Sequence, residues 1–209
     1  MMSSRSAIQG VIFDLDGTLV HSRLDFDLIR REIGIPKELP ILEALDKLPP
    51  EQSAAAQAIL DRHERQGAES ATMIPGAGEL LEELRHRGKK LAIVTRNSRQ
   101  QALATIARLQ LPIDLVMSRD DATPKPDPAA LNSICRIWRI DPSQVAMIGD
   151  YRFDLESGRA ARTWTVLYSA DCNKVEIDAW QPLTDLRLSS FVDDSERLLQ
   201  WLESPTAMQ

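Results

Sequence analysis

The chain has 209 residues, 43% hydrophobic and 27% charged, with a formal net charge of −6. These are ordinary values for a globular protein, and the acidic balance gives no basic footprint for nucleic acid or an anionic membrane surface. No run approaches the ~18 apolar residues of a membrane span. Residues 1–10 lack the apolar centre of a signal peptide, and Cys135 and Cys172 have neither metal-ligand nor disulfide-framework spacing. A cytoplasmic protein is expected, long enough for one sizeable domain or a core with a smaller insert.

The first element lies in residues 9–20, QGVIFDLDGTLV. Val11, Ile12 and Phe13 form a short apolar run bounded by Gly10 and by Asp14 and Asp16, the pattern of a buried strand. Asp14 then stands at the strand tip and Asp16 in the departing loop. Two carboxylates this close repel unless a proton or a cation is shared between them. That leaves open a divalent-metal site, a catalytic pair or both, beside the plainer reading of a solvated turn.

The next stretches, 24–34, 39–48 and 51–69, read as three helices. Leu24 and Leu28 share a face of the first, which Pro36 closes; Pro49 and Pro50 stop the second. Residues 21–73 carry no strand signal and read as a small all-helical insert.

Alternation begins after it. Helix 78–87 ends at Gly88, strand 89–95 follows, and helix 98–109 has Ser98 as a candidate cap. Then come strand 114–118, helix 127–138 opening on Asp-Pro, strand 145–149, helix 154–161 and strand 164–168. An edge strand over 186–190 and a helix over 193–202 close the chain. Strands alternating with helices imply right-handed crossovers and an α/β fold, a doubly wound parallel sheet covered on both faces. The expected division is a core of 1–20 and 74–209 with the helical insert 21–73 after the first strand.

In such sheets reactive groups sit just past the carboxyl ends of the strands. Those ends deliver Asp14 and Asp16, then Thr95 with Arg96 and Asn97, then Asp150 with Asp154, while Lys125 lies between two prolines in the loop 118–128. Each alone is an ordinary residue. Brought to one sheet edge, they supply hard oxygen ligands for Mg²⁺ with a hydroxyl and an ammonium suited to a phosphoryl group.

These stretches resemble, in order, the four motifs of the haloacid dehalogenase-like (HAD) hydrolase superfamily, in the subgroup with a helical cap between its first two motifs. DLDGTLV resembles the first motif, VTRN the second, Lys125 within PKPDP the third and GDYRFD the fourth. The nearest functional group is similar to the phosphoglycolate phosphatase-like enzymes. The resemblance implies a Rossmann-like core and Mg²⁺-dependent hydrolysis of a small phosphorylated metabolite, by a monomer or homodimer with no nucleic-acid or membrane partner. It implies Asp14 as nucleophile, forming an aspartyl-phosphate, and Asp16 as general acid and base. Thr95, Arg96 and Lys125 would bind the phosphoryl oxygens. Mg²⁺ would be held by Asp14, the Asp16 backbone carbonyl and Asp150, with Asp154 as a partner or occasional ligand.

Tyr151 stands where the family commonly has a small hydroxyl residue, and Arg162 where it frequently has Gly. A phosphomutase would share every core residue. A haloacid dehalogenase would use an aspartate nucleophile on carbon and need no Mg²⁺, which the pairing of Asp16 with Asp150 speaks against. The three histidines, His21, His63 and His86, are expected beside the hinge (His21) or at the surface (His63, His86), and the four tryptophans in packing roles.

Overall fold

The computed structural model describes residues 6–206. Chain order runs β1 (Gly10–Phe13), β2 (Val20–His21), α1 (Phe26–Ile33), α2 (Ile41–Leu45), α3 (Pro50–Ser70) and β3 (Thr72–Met73). It continues with α4 (Ala77–His86), β4 (Lys90–Val94), α5 (Arg99–Leu109), β5 (Leu115–Met117), α6 (Ala129–Trp138) and β6 (Val145–Gly149). The last elements are α7 (Arg152–Ala161), β7 (Trp164–Tyr168), α8 (Lys174–Trp180), β8 (Leu186–Leu188) and α9 (Phe191–Glu203). The chain forms two compact units, one of Met1–His21 with Thr72–Gln209 and one of Ser22–Ala71. No helix among the described residues is long and apolar enough to cross a membrane.

The larger unit is built on a six-stranded sheet in the order β5-β4-β1-β6-β7-β8, parallel at every pairing. Parallel strands buried on both faces read as continuous apolar runs, and β1 and β6 are buried at every position. Residues alternate between the faces. Ile12, Ala92, Val94, Val145 and Met147 join Ala130, Leu131, Ile134 and Cys135 of α6 and Ala161 of α7 in one cluster. On the other face α4 packs against β4 and α9, with Leu80, Leu81, Leu84, Leu198 and Leu202 buried. This is the doubly wound parallel sheet that the alternation of elements predicts. From β1 the chain moves outward through β4 and β5, then returns to β6 on the other side of β1 and moves outward again. The carboxyl ends of β4, β1 and β6 therefore flank the reversal in strand order, where an open α/β sheet leaves a crevice.

In the smaller unit α1 starts at Asp25, whose carboxylate accepts from the Leu28 N–H at 2.8 Å, and stops at Gly34 in the left-handed conformation. Its buried residue is Ile29, one position on from the expected Leu28, and Ile29 packs with Ile41, Leu45, Ala56 and Leu60. The Glu32 carboxylate links α1 to α3 by pairing with Arg62 and, at 3.0 Å, with His63. The expected surface position of His63 is thus corrected: the residue is half-buried.

The reading of 21–73 as strand-free is also corrected. β2 and β3 form an antiparallel pair, Val20 against Met73 and His21 against Thr72, and two-residue strands are too short to carry a period. Helix α8 was missed as well. Ser98 precedes α5, but its side chain makes no capping hydrogen bond there. Arg162 does take the left-handed conformation at the end of α7 (φ 63°), at the position where Gly is frequent.

Near the carboxyl end of the chain, Asp194 accepts from Ser189 N (2.6 Å) and Oγ (3.0 Å), from Ser190 N (3.2 Å) and from Arg197 (2.8 Å). Burial works against its charge, but these bonds outweigh it and hold its pKa down to about 2. A depressed carboxyl stabilises the fold above its unfolded pKa, and that contribution is lost as pH falls through the folded value. Asp194→Asn is expected to lose about 1–2 kcal/mol at pH 7. In urea denaturation its gap to the native chain should close as pH falls from 3.8 toward 2.

Candidate active site

Asp14 leaves the end of β1 with its backbone N–H donating to the Ile148 carbonyl of β6 at 2.9 Å, so the neighbouring strand fixes where the carboxylate emerges. Its Oδ1 accepts from Lys125 Nζ at 2.5 Å. The same ammonium reaches Asp154 Oδ1 at 2.6 Å and the Val94 carbonyl of β4 at 2.7 Å. Lys125 is 2% exposed, and its three N–H donors have three acceptors. The loop before α6 carries Lys125, and α7 carries Asp154, so one cation joins groups from four parts of the larger unit.

Asp154 is equally buried. Its other oxygen, Oδ2, accepts from the Tyr151 N–H at 3.0 Å, and its own N–H donates to the Tyr151 carbonyl at 3.0 Å. Gly149, the last residue of β6, lies against this carboxylate; a Cβ there would overlap the Asp154 side chain. Gly17 makes the matching allowance for Asp150, since a Cβ at 17 would overlap that carboxylate and the residue has φ +83°. Asp150 is met by the Thr18 hydroxyl, which donates to Oδ1 at 3.3 Å. The Cys172 thiol donates to the Asp150 carbonyl at 3.5 Å.

Asp14, Asp150 and Asp154 each present an oxygen within 4.8 Å of the others. Burial and the neighbouring carboxylates push Asp14 up to about 7, against the pull of Lys125, and push Asp150 well above the ordinary range. Burial opposes the charge on Lys125, but Asp14 and Asp154 outweigh it and its pKa is raised. With all four groups charged, the cluster has one positive charge against three negative. The donor set is wholly oxygen, half-buried to buried, and short of positive charge, which suits a hard divalent cation such as Mg²⁺.

Asp16 stands apart from that trio. Its Oδ2 accepts from Asn97 Nδ2 at 2.6 Å, and the Asn97 N–H donates to the Thr95 hydroxyl at 3.1 Å. Thr95 is buried at the end of β4, its own N–H donating to the Met117 carbonyl at 3.0 Å. Arg96 donates through Nη1 to the Lys125 carbonyl, and its guanidinium lies 4.9 Å from the centre of the Phe153 ring. Thus Asp14, Lys125, Asp150 and Asp154 come together, Asp16 and Thr95 are joined through Asn97, and Arg96 braces the Lys125 loop. Thr18 is given no role by the sequence reading, and Asn97 is placed at the strand end without one. Both lie inside the quoted motifs, Thr18 in DLDGTLV and Asn97 in VTRN.

A family model for haloacid dehalogenase-like hydrolases matches residues 25–168. A phosphoglycolate phosphatase of Rhodospirillum rubrum is 30% identical to the chain, covering 94% of it and 92% of the relative. An N-acetylmuramic acid 6-phosphate phosphatase of Pseudomonas aeruginosa is also 30% identical, covering 77% of the chain and 81% of the relative. The crystal structure of a predicted phosphoglycolate phosphatase from Haemophilus somnus superposes with a TM-score of 0.74 at 20% identity, over 96% of this chain and 100% of that one. The chain belongs to the haloacid dehalogenase-like hydrolase family. It is an enzyme of the phosphatase kind that these relatives represent.

Two outcomes follow from the cluster. A carboxyl whose folded pKa exceeds its unfolded value is destabilising wherever the unfolded chain would have released the proton. In chelator, the contribution of Asp14 to stability is therefore expected to fall as pH rises from 3.8 to about 7, read as the difference between the native chain and Asp14→Asn. Added Mg²⁺ should raise the thermal midpoint more at pH 7.5 than at pH 5.5. Lys125→Met removes the shared cation and leaves buried carboxylates facing one another, and should cost about 3–5 kcal/mol in urea denaturation at neutral pH.

Proposed function

We propose that the chain is a Mg²⁺-dependent phosphatase that hydrolyses a small organic phosphate monoester through an aspartyl-phosphate on Asp14. The observation that carries this reading is the Lys125 ammonium held between Asp14 and Asp154, with Asp150 beside them. It fixes one carboxylate oxygen of a nucleophile and leaves the other for phosphorus.

With Oδ1 held by Lys125, Asp14 presents Oδ2. That oxygen attacks phosphorus in line, the new P–O bond forming as the ester P–O bond breaks. The weak basicity of a carboxylate is no handicap, because phosphoryl transfer depends on positioning and charge neutralisation. Asp16 gives its proton to the departing alcohol oxygen. Asn97, donating to Asp16 Oδ2 at 2.6 Å, helps to orient that carboxyl. The Asp16 carboxylate then takes a proton from water, whose oxygen attacks the phosphorus and releases Asp14 and inorganic phosphate. Thr95 accepts from Asn97 N–H, so its O–H points its hydrogen elsewhere and is suited to a phosphoryl oxygen. Lys125 spends its donors on Asp14, Asp154 and Val94, and acts on the transferring group chiefly through its field. Asp14, Asp150 and the Asp16 carbonyl would hold Mg²⁺, with Asp154 close by. When bound, the ion supplies the positive charge that offsets the phosphoryl oxygens. The reading requires no nucleic-acid or membrane partner.

The direct test is phosphate release from a panel of small phosphorylated metabolites, phosphoglycolate and a 6-phosphosugar included, with and without Mg²⁺. Turnover should need the ion and stop with chelator, where a dehalogenase acting on carbon would continue. Asp14→Asn should lower kcat by at least about 10³-fold, the order seen when a covalent nucleophile is removed, with the circular dichroism spectrum unchanged. Near-native turnover in that variant would refute the assignment.

A further inference from the structure

The residue that follows Asp150 is a tyrosine that is neither buried nor loose. Tyr151 is 46% exposed, yet its backbone is fastened on both sides to Asp154, through the bond to Oδ2 and the bond from Asp154 N–H. Its ring meets Phe153 edge-on (5.1 Å between centroids, 84° between planes) and Trp180 likewise (5.4 Å, 75°). These are the orientations that aromatic quadrupoles favour. Phe153 is steadied in turn by two guanidiniums, Arg96 at 4.9 Å and Arg152 at 5.8 Å from its centre. A row therefore runs from Arg96 after β4, across Phe153 in the first turn of α7 and Tyr151 just before it, to Trp180 at the end of α8.

Phe13 and Phe191, by contrast, are fully buried. Here two aromatic contacts and two backbone bonds hold a ring that keeps nearly half its surface accessible. It does so one residue from a carboxylate whose oxygen lies within 4.8 Å of Asp14. Tyr151 therefore leaves the chain at the same rim that carries Asp14 and Asp150.

We propose that the Tyr151–Phe153–Trp180 row is a recognition ledge for the leaving group, and that the enzyme favours phosphate monoesters whose alcohol carries a ring with an apolar face. This inference rests on the phosphatase reading and deepens it by naming a substrate class. The ledge is preorganised: the rings are locked before substrate arrives, so binding loses little side-chain freedom. It discriminates by contact area, and an open-chain alcohol of similar size gains less from it.

The test compares benzyl phosphate with n-butyl phosphate, whose leaving groups are both alkoxides. The native protein in Mg²⁺ should show kcat/KM about five- to tenfold higher for the benzyl ester, the size of an aromatic contact. Tyr151→Ala should bring that ratio to within twofold, with the change carried by KM for the benzyl ester, while Tyr151→Phe preserves it. Calorimetric binding of benzylphosphonate against n-butylphosphonate reads the same preference without turnover. A retained binding preference with no hydrolysis of either ester would support the ledge and strike the phosphatase reading. Hydrolysis of both esters with equal efficiency, or a ratio unmoved by Tyr151→Ala, would overturn the ledge and leave the phosphatase reading standing.

Discussion

A buried ammonium is tolerated only where opposite charge and hydrogen-bond acceptors surround it, and Lys125 meets that condition with three contacts at 2.5–2.7 Å. The acceptors come from the end of β4, the end of β1 and helix α7, which follows β6. These three strands are adjacent in the sheet, and their carboxyl ends lie together because every pairing is parallel. The strand order and the lysine therefore specify one another. An antiparallel partner for β1 would carry one of the three acceptors to the opposite rim and leave the ammonium short of a bond. Gly149 belongs to the same constraint, because Asp154 reaches the lysine only where β6 ends without a Cβ.

The acids at this rim divide by environment. Asp14 is driven toward protonation by burial and by Asp154, although a lysine stands beside it, and Asp150 by burial and by Asp14 and Asp154. Protons and a divalent cation thus compete for the same oxygens, and a cation that binds there displaces protons. Asp16 differs in accepting from the side-chain amide of Asn97. Two carboxylates two residues apart but placed in unlike surroundings are what a division of labour between nucleophile and proton carrier needs.

How far the sequence discloses this depends on the distance over which each feature is encoded. Strands buried on both faces announce themselves as apolar runs, so VIF, KLAIV, VAMIG and WTVLY are all legible, and the acids that follow them mark the sheet's carboxyl edge. The β2–β3 pair is illegible because two residues make no pattern. Helix α8 has no buried residue to create a period; its available signal was the capping box of Asn173 with Glu176, which the structure forms. The shift of the buried position in α1 from Leu28 to Ile29 is a phase error of one residue in a short helix. At the site, the acidic side chains could be named from their places at strand ends, but their partners could not. Thr18 meets Asp150, and Asn97 meets Asp16, across long stretches of chain that no spacing rule spans.

The hydrogen bonds also rank the three clustered carboxylates. Asp154 has one oxygen on the lysine and the other on the Tyr151 N–H, so a cation taking either must displace a donor already in place. Asp14 has Oδ1 on the lysine. Asp150 is held by a hydroxyl at 3.3 Å, a long bond for an oxygen pair and the easiest of the set to exchange. Cation binding by Asp150 and Asp14 leaves the lysine network whole, whereas binding by Asp154 breaks it. On that ground Asp154 acts through its neighbours: it positions Lys125, and through Lys125 the carboxylate of Asp14. The same residue fixes the backbone of Tyr151, so the Tyr151 backbone and the Asp14 carboxylate are joined by three successive hydrogen bonds. A displacement of the ring's backbone is a displacement of Asp154, and the ammonium between the acids transmits it to Asp14.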